Sequence, residues 1–119
     1  MATQQVHFVS HLAVSRLDLA THKGKQEVTL LPKGAELVSL SVEVVSAADA
    51  GTLDIGYSGE ESNLANDIDL TQKGAHIANV STTAQKLTPI TATPSGANSG
   101  EVAIRVIYYL PSLKPFETE

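Results

Sequence analysis

The clearest alternation of hydrophobic and polar residues runs from Val38 to Val44. Every second position is apolar there, and serine or glutamate fills the positions between. Successive side chains of a strand point to opposite faces, so a period of two predicts a strand with one face in a core. The predicted core face carries Val38, Leu40, Val42 and Val44.

A second alternating run, Thr52–Tyr57, begins after a short loop that ends in Asp49, Ala50 and Gly51. Two strands that follow each other so closely often pair as an antiparallel hairpin. The pattern therefore predicts that Val38–Val44 and Thr52–Tyr57 are neighbours in one sheet.

The last strong run, Glu101–Leu110, is apolar on both faces. One face carries Val102, Ile104, Val106, Tyr108 and Leu110, and the other carries Ala103, Arg105, Ile107 and Tyr109. Because the first set suffices for a core, the second is covered either by another part of the same chain or by a partner. We predict that Ile107 and Tyr109 lie in an interface.

The N-terminal run changes phase along its length. Large apolar residues lie on even positions at Val6, Phe8, Leu12 and Val14, and then on odd positions at Leu17 and Leu19. A change of phase within a strand predicts a β-bulge or a bend, because one extra residue turns every later side chain to the other face. The bulge is expected around residues 15 and 16.

Weaker candidates bring the count to about eight strands, spaced about 8–12 residues apart, which is typical of a β-sandwich or a small barrel. One candidate, Gln85–Thr93, contains Pro89 and is followed by Pro94. Proline cannot donate to a sheet ladder, so we expect an edge strand there. The segment Glu60–Asn66 has room for one helical turn at most.

The chain is expected to form a single antiparallel β-sandwich domain over residues 1–119. A short N-terminal arm, residues 1–5, and a C-terminal tail, residues 111–119, stand outside the strand pattern. Pro111 and Pro115 favour an extended tail over a helical one. The isolated Phe116 suits an arm that anchors on a neighbour.

Composition narrows the classes of function. The chain has 119 residues, a formal net charge of -5 and no cysteine. Nucleic-acid backbones are bound by clustered Lys and Arg, so an acidic balance argues against that partner. The lack of cysteine excludes disulfides, thiolate metal sites and cysteine nucleophiles. No apolar run approaches the ~20 residues of a membrane-spanning helix, so no membrane partner is expected.

Four histidines are candidate metal ligands. His7 and His11 lie four residues apart on a predicted strand and therefore share a face, where His22 or His76 could join them. Such a set would suit a cupin-like metal-dependent enzyme. However, the His-x-His spacing usual in cupins does not occur. The metal enzyme is therefore the weaker alternative, and we expect no metal site.

An acidic group could supply oxygen ligands to calcium. It comprises Asp54, Glu60, Glu61, Asp67 and Asp69. Its spacing does not match a loop of the Asp-x-Asp-x-Asp-Gly type, and carboxylates at loop tips are ordinarily solvated. The chain also lacks a Gly-x-Ser-x-Gly nucleophile frame and a Gly-x-x-x-x-Gly-Lys phosphate loop. We expect no cofactor and no catalytic residue, and hence a protein that is not an enzyme.

Three segments resemble small virion proteins of tailed bacteriophages, a group that includes capsid decoration (cement) proteins and head-fibre bases. They are Leu31–Ala35 with the strand after it, Gly51–Gly56 with the polar loop behind it, and Gly96–Tyr109. The resemblance covers residues 31–110. It implies a jelly-roll-like sandwich with a structural role, and it carries over no catalytic residue.

From this resemblance we expect a structural protein of a phage particle, most specifically a capsid decoration protein that binds and stabilises the outer shell. The expected partners are the major capsid protein and copies of the chain itself in a homotrimer, at the capsid surface of the virion. The expected contact residues are Ile107, Tyr109, Pro111 and Phe116. A head-fibre, neck or tail module of the same fold is the alternative.

Overall fold

The structure, a computed structural model, describes residues 7–57, 60–78 and 80–112. This part of the chain contains strands and no helix, which confirms the all-β prediction, and it holds no helix that is long and apolar enough to cross a membrane. In chain order the strands are β1 (His7–Asp18), β2 (Gln26–Leu31), β3 (Glu36–Ser46), β4 (Thr52–Tyr57), β5 (Glu60–Asp69), β6 (Gly74–Ala78), β7 (Thr82–Thr83), β8 (Thr88–Ser95) and β9 (Glu101–Ser112).

The strands form two antiparallel sheets. Sheet A has the order β1-β9-β3-β6, with β7 also paired to β3, and sheet B has the order β2-β8-β4-β5. The chain crosses repeatedly from one sheet to the other. Its last two strands lie between strands from earlier in the sequence, β8 between β2 and β4 and β9 between β1 and β3. This is the strand order of a jelly roll, so the predicted jelly-roll sandwich is confirmed.

The core lies between the sheets and is filled mainly by the alternating apolar positions of the strands, with Leu19 and Leu70 added directly after β1 and β5. Its largest fully buried side chains are Leu19, Leu31, Leu37, Leu40, Val42, Val44, Leu53, Ile55, Leu70, Ile90, Val102 and Ile104. Burying a side chain of this size contributes about 1.5–3 kcal/mol relative to leaving it in water, which makes this layer the main source of stability.

The prediction for Val38 is wrong. The register between β3 and β9 shifts between Leu37 and Ser39, which marks a β-bulge at Val38. The extra residue turns Leu37 into the core, where it is fully buried, and leaves Val38 41% exposed. The prediction assumed an unbroken period of two back from Leu40, and it therefore assigned Val38 to the core in place of Leu37.

The predicted hairpin is also wrong, because β3 belongs to sheet A and β4 to sheet B. Their connection is a corner of the sandwich. The Asn98 N–H donates to Asp49 Oδ1 at 2.8 Å, so the corner is tied to the β8–β9 connection. Gly51 has a φ of +109°, and an added Cβ would lie 2.8 Å from the Ala97 nitrogen. The glycine therefore serves a close approach of two loops.

The bulge predicted in the N-terminal run does not exist. β1 pairs with β9 in one unbroken register, and Ala13 and Leu17, at odd positions, both pack on the core. The change of phase has another cause. Leu12 and Val14 lie on the opposite face, where they are 59% and 49% exposed.

The segment with two prolines is not an edge strand, since β8 lies between β2 and β4. Within the described residues, each proline is placed where only one neighbouring strand flanks it. Pro89 pairs with β2 just past the last residue of β4, and Pro94 pairs with β4 beyond the end of β2. A missing N–H is tolerated at such positions. The segment Glu60–Asn66, which was predicted to hold one helical turn at most, belongs to strand β5.

The last strand continues two residues further than predicted. Pro111 pairs with Phe8 and Ser112 pairs with His7, so the proposed tail begins inside β9. The predicted arm, residues 1–5, and the remainder of the tail with Phe116 lie outside the described residues.

Candidate interaction surface

The outward positions of β9 lie on the outer face of sheet A, as the alternation predicts. Ile107 is flanked in register by Leu12 of β1 and Ser39 of β3. Tyr109 is flanked by Ser10 and by Glu36, on the same two strands. Both side chains are half-buried within the chain itself. Whether a partner covers them remains a prediction.

The structure extends this surface to two residues that the sequence reasoning missed. Leu12 and Val14 are outward on β1, beside Ile107 and Arg105 of β9. With 59% and 49% of their surface exposed, they are more open than the predicted Ile107 and Tyr109. The signal for them was the change of phase in the N-terminal run, which reflects an apolar outer face and not a bulge.

Val38 adds a residue of β3 to the same side of sheet A, at the bulge opposite Ile107 and Tyr108. We call the set Leu12, Val14, Val38, Ile107 and Tyr109 the outer apolar face. Contiguous apolar patches on monomeric proteins commonly mark sites of interaction.

Two ion pairs border the outer apolar face toward the opposite end of β9. Arg105 donates to Glu43 Oε1 at 2.9 Å, and Arg16 donates to Glu101 Oε2 at 3.2 Å. Both pairs are largely solvent-accessible, so they contribute little to stability. They give the outer apolar face a polar rim at this end, and a polar rim is usual in protein interfaces.

The candidate histidines do not converge. His11 stacks on Tyr108 with ring centroids 5.1 Å apart, and His22 accepts the Asp18 N–H at Nδ1, 3.0 Å away. His76 lies on β6, in the other outer strand of sheet A, and the side chain of His7 is outside the described part. In the described ranges no three histidine, aspartate or glutamate side chains are close enough to hold a metal ion.

In the acidic group, two of the carboxylates accept hydrogen bonds from nearby residues, one at a register shift and one in a turn. Asp54 Oδ1 accepts the N–H of Asp67, whose φ is +56°, where the β4–β5 register shifts. The pKa of Asp69 is lowered, chiefly because Thr71 Oγ1 donates to it at 2.6 Å, with His76 as a lesser cause. Glu60 begins β5, and the Glu61 side chain lies outside the described residues.

An open cleft of about 610 Å³ lies at the end of the sandwich where β4 ends and β8 begins. Its polar lining comes from threonines together with Tyr57, Glu60, Gln85 and Lys86. Among these described lining residues there is no histidine, cysteine or aspartate, and therefore no pairing of a nucleophile with a histidine base.

No protein-family model matches the chain, and no curated protein does. Among solved structures, the chain is similar to one in the acidic stable capsid structure of Helicobacter pylori bacteriophage KHP30. The two share 26% identity over 91% of this chain and 94% of that chain, with a TM-score of 0.76.

Two further similarities lie at lower identity. A chain of the cyanophage Pam1 capsid asymmetric unit is 17% identical over 93% of both chains, with a TM-score of 0.69. A chain of the capsid of Ralstonia phage GP4 is 18% identical over 95% of this chain and 91% of that chain, with a TM-score of 0.61. At these identities the two similarities are evidence of a shared fold alone.

Fold, surface and comparisons together support one class of protein. They support a structural protein of a bacteriophage, located in the virion.

Proposed function

We propose that the protein is a capsid decoration protein that binds the major capsid protein on the outside of the shell and stabilises the particle. It acts there as a homotrimer. The observation that carries the proposal is the similarity to a chain of the KHP30 capsid structure, because it spans 91% of this chain and 94% of that chain. The sandwich of this chain then corresponds to nearly the whole of one chain in a capsid structure.

The outer apolar face supports a role in assembly. Leu12 and Val14 remain about half exposed, and Ile107 and Tyr109 extend the same surface across a neighbouring strand. A partner that covers this face removes apolar area from water, and each fully covered large side chain contributes about 1.5–3 kcal/mol. The polar rim fixes the orientation of the partner more than it adds affinity.

The C-terminal tail supplies the second contact of the proposal. Pro111 lies on β9, directly after the strand positions of the outer apolar face, and the chain continues from Ser112 toward Phe116. A tail that leaves the sheet here can reach a neighbouring subunit, with Phe116 as its apolar anchor.

A shell presents many equivalent sites, so each contact can be weak. A trimer that engages several capsid subunits converts later binding events into intramolecular ones, and the total affinity exceeds that of a single contact by orders of magnitude. Closed cyclic symmetry is the common form of such assemblies.

The proposal is tested with particles that lack the protein, produced from a phage whose gene for it is deleted. Purified protein should co-sediment with these particles and raise the temperature at which they release DNA. If the protein does not bind the shell but is found with necks, tails or fibres, the alternative structural module is correct and the decoration role is wrong.

A further inference from the structure

The edge of sheet A at β1 carries unpaired backbone groups. Among the described strands, β1 pairs with β9 alone, in an unbroken register of twelve residues. The Leu19 N–H donates to the Gly100 carbonyl at 2.9 Å, one step past that ladder. Bonded and non-bonded pairs alternate along an antiparallel ladder. Odd-numbered residues of β1 therefore bond to β9, and even-numbered residues direct their N–H and C=O groups to the free edge.

One end of this edge is capped. The Asp18 N–H donates to His22 Nδ1 at 3.0 Å, and the Asp18 carbonyl accepts the His22 N–H at 2.8 Å. The preceding even residues have no backbone hydrogen bond at these groups within the part of the chain that is described. They present four donors and four acceptors in a row, on Ser10, Leu12, Val14 and Arg16.

The other sheet edges carry the features that prevent strands from adding. β2 has six residues, a register shift after Glu27 and Pro32 directly behind it. β5 has two register shifts, the left-handed Asp67 and several carboxylates. β6 and β7 have five and two residues. β1 is long and regular and has neither proline nor lysine, and its charged residues are Arg16 and Asp18 near one end, so it is the least protected of these edges against pairing.

We propose that the β1 edge pairs antiparallel with the β1 edge of a second copy of this chain, about a two-fold axis. With Ala13 opposite Ala13 of the second copy, Leu12 lies opposite Val14 and Ser10 lies opposite Arg16. This register satisfies every free edge group of the four residues in both copies. It stops at Asp18, whose groups the turn already uses.

Charge favours the antiparallel arrangement. A parallel pairing in register would place Arg16 beside Arg16 and Asp18 beside Asp18, whereas the antiparallel one places Arg16 opposite the neutral Ser10. The pairing joins two A sheets into one and brings their outer apolar faces side by side. This two-fold contact is separate from the contact that closes the proposed homotrimer. It does not depend on the decoration role, because it concerns two copies of the chain alone.

A single engineered cysteine tests the pairing, since the chain has none of its own. At the axis, Ala13→Cys forms a non-hydrogen-bonded pair with its own copy at a Cα separation of about 4.5 Å, within the range of a disulfide. Mild oxidation of the full chain should give a covalent dimer. The control is Leu30→Cys on β2, the corresponding edge of sheet B, which is 44% exposed. It should give little dimer.

Changes at Ser10 test the register, each made in the Ala13→Cys chain. Ser10→Pro removes an N–H that only the second copy uses, and should reduce the dimer yield about tenfold at limiting protein concentration. Ser10→Lys, opposite Arg16, should reduce the yield, and Ser10→Asp should raise it. Because Ser10 is exposed, the last two variants retain the fold even if the proline does not.

The proposal is overturned if Ala13→Cys forms no more dimer than Leu30→Cys, or if the Lys and Asp variants have equal yields. If Ser10→Pro weakens co-sedimentation with particles while no dimer forms, a capsid strand occupies the edge and the second copy is the wrong partner. A decoration protein that binds particles normally but does not dimerise refutes this inference alone.

Discussion

Leu12→Ser is the substitution that probes the outer apolar face most directly. The side chain is 59% exposed, so its loss removes little from the core of the isolated domain. Surface substitutions of this kind usually change the free energy of unfolding by less than about 0.5 kcal/mol. We therefore expect a melting temperature close to that of the wild type, together with weaker binding to particles.

The size of the binding loss follows from the exposed fraction. Full burial of a leucine contributes about 1.5–3 kcal/mol, and somewhat more than half of the Leu12 surface is still available for a partner to cover. The expected loss is about 1–2 kcal/mol for each copy in contact, which is roughly a 5- to 30-fold weaker contact. A trimer that uses three such contacts multiplies the effect.

Leu30→Ser is the matched control. Leu30 is also an exposed leucine on an outer strand, but it lies on β2 of sheet B, away from the outer apolar face. Both variants should be compared by co-sedimentation with particles that lack the protein, and by thermal melts. Equal binding of Leu12→Ser and wild type, or an equal loss for both variants, would refute the assignment of this face.

Three further predictions concern stability and the tail. Gly51→Ala should lower the free energy of unfolding by about 2–5 kcal/mol, because its Cβ would collide with the Ser95 carbonyl at a φ of +109°. Gly24→Ala is the control, because Gly24 has a φ of +73° and nothing lies within 4 Å of an added Cβ; it should lower the free energy of unfolding by only about 1–2 kcal/mol. Urea titrations measure both variants, and equal losses for Gly51→Ala and Gly24→Ala would contradict the close approach of the two loops at Gly51. The Asn98 N–H lowers the pKa of Asp49 below its ordinary 3.8, so this carboxylate stabilises the fold above that pH and the contribution disappears as the pH falls through the lowered value. Asp49→Ala should therefore melt below wild type at pH 7 and approach it in acid; a constant difference at every pH would argue against this. Phe116→Ala, or truncation after Ser112, should leave the melt unchanged and weaken particle binding, whereas a truncated chain that unfolds would place the tail in its own core.

The local pattern predicted the strands better than it predicted their partners. The alternation in Thr52–Tyr57 marked β4 with its observed bounds, because a half-buried strand reveals its two faces residue by residue. The choice between a hairpin and a sandwich corner after β3 depends on contacts with the distant loop at Asn98. Nothing within the two runs encodes those contacts, so the pairing could not be read from them.

The sequence predicted some residues of the outer apolar face and missed others. Ile107 and Tyr109 were recognised because the opposite face of their strand already filled a core. Leu12 and Val14 were missed because apolar residues on an outer face and a β-bulge produce the same change of phase in the sequence. Only the unbroken pairing of β1 with β9 separates the two explanations.

The position of the protein in its native particle tests the central claim most directly. A cryo-electron microscopy reconstruction of the whole virion should contain the jelly-roll sandwich on the outside of the capsid shell, in groups of three. The outer apolar face should lie against capsid subunits or neighbouring copies. Density for the sandwich only at the neck, tail or fibres, or on the shell with Leu12 and Ile107 facing solvent, would contradict the account.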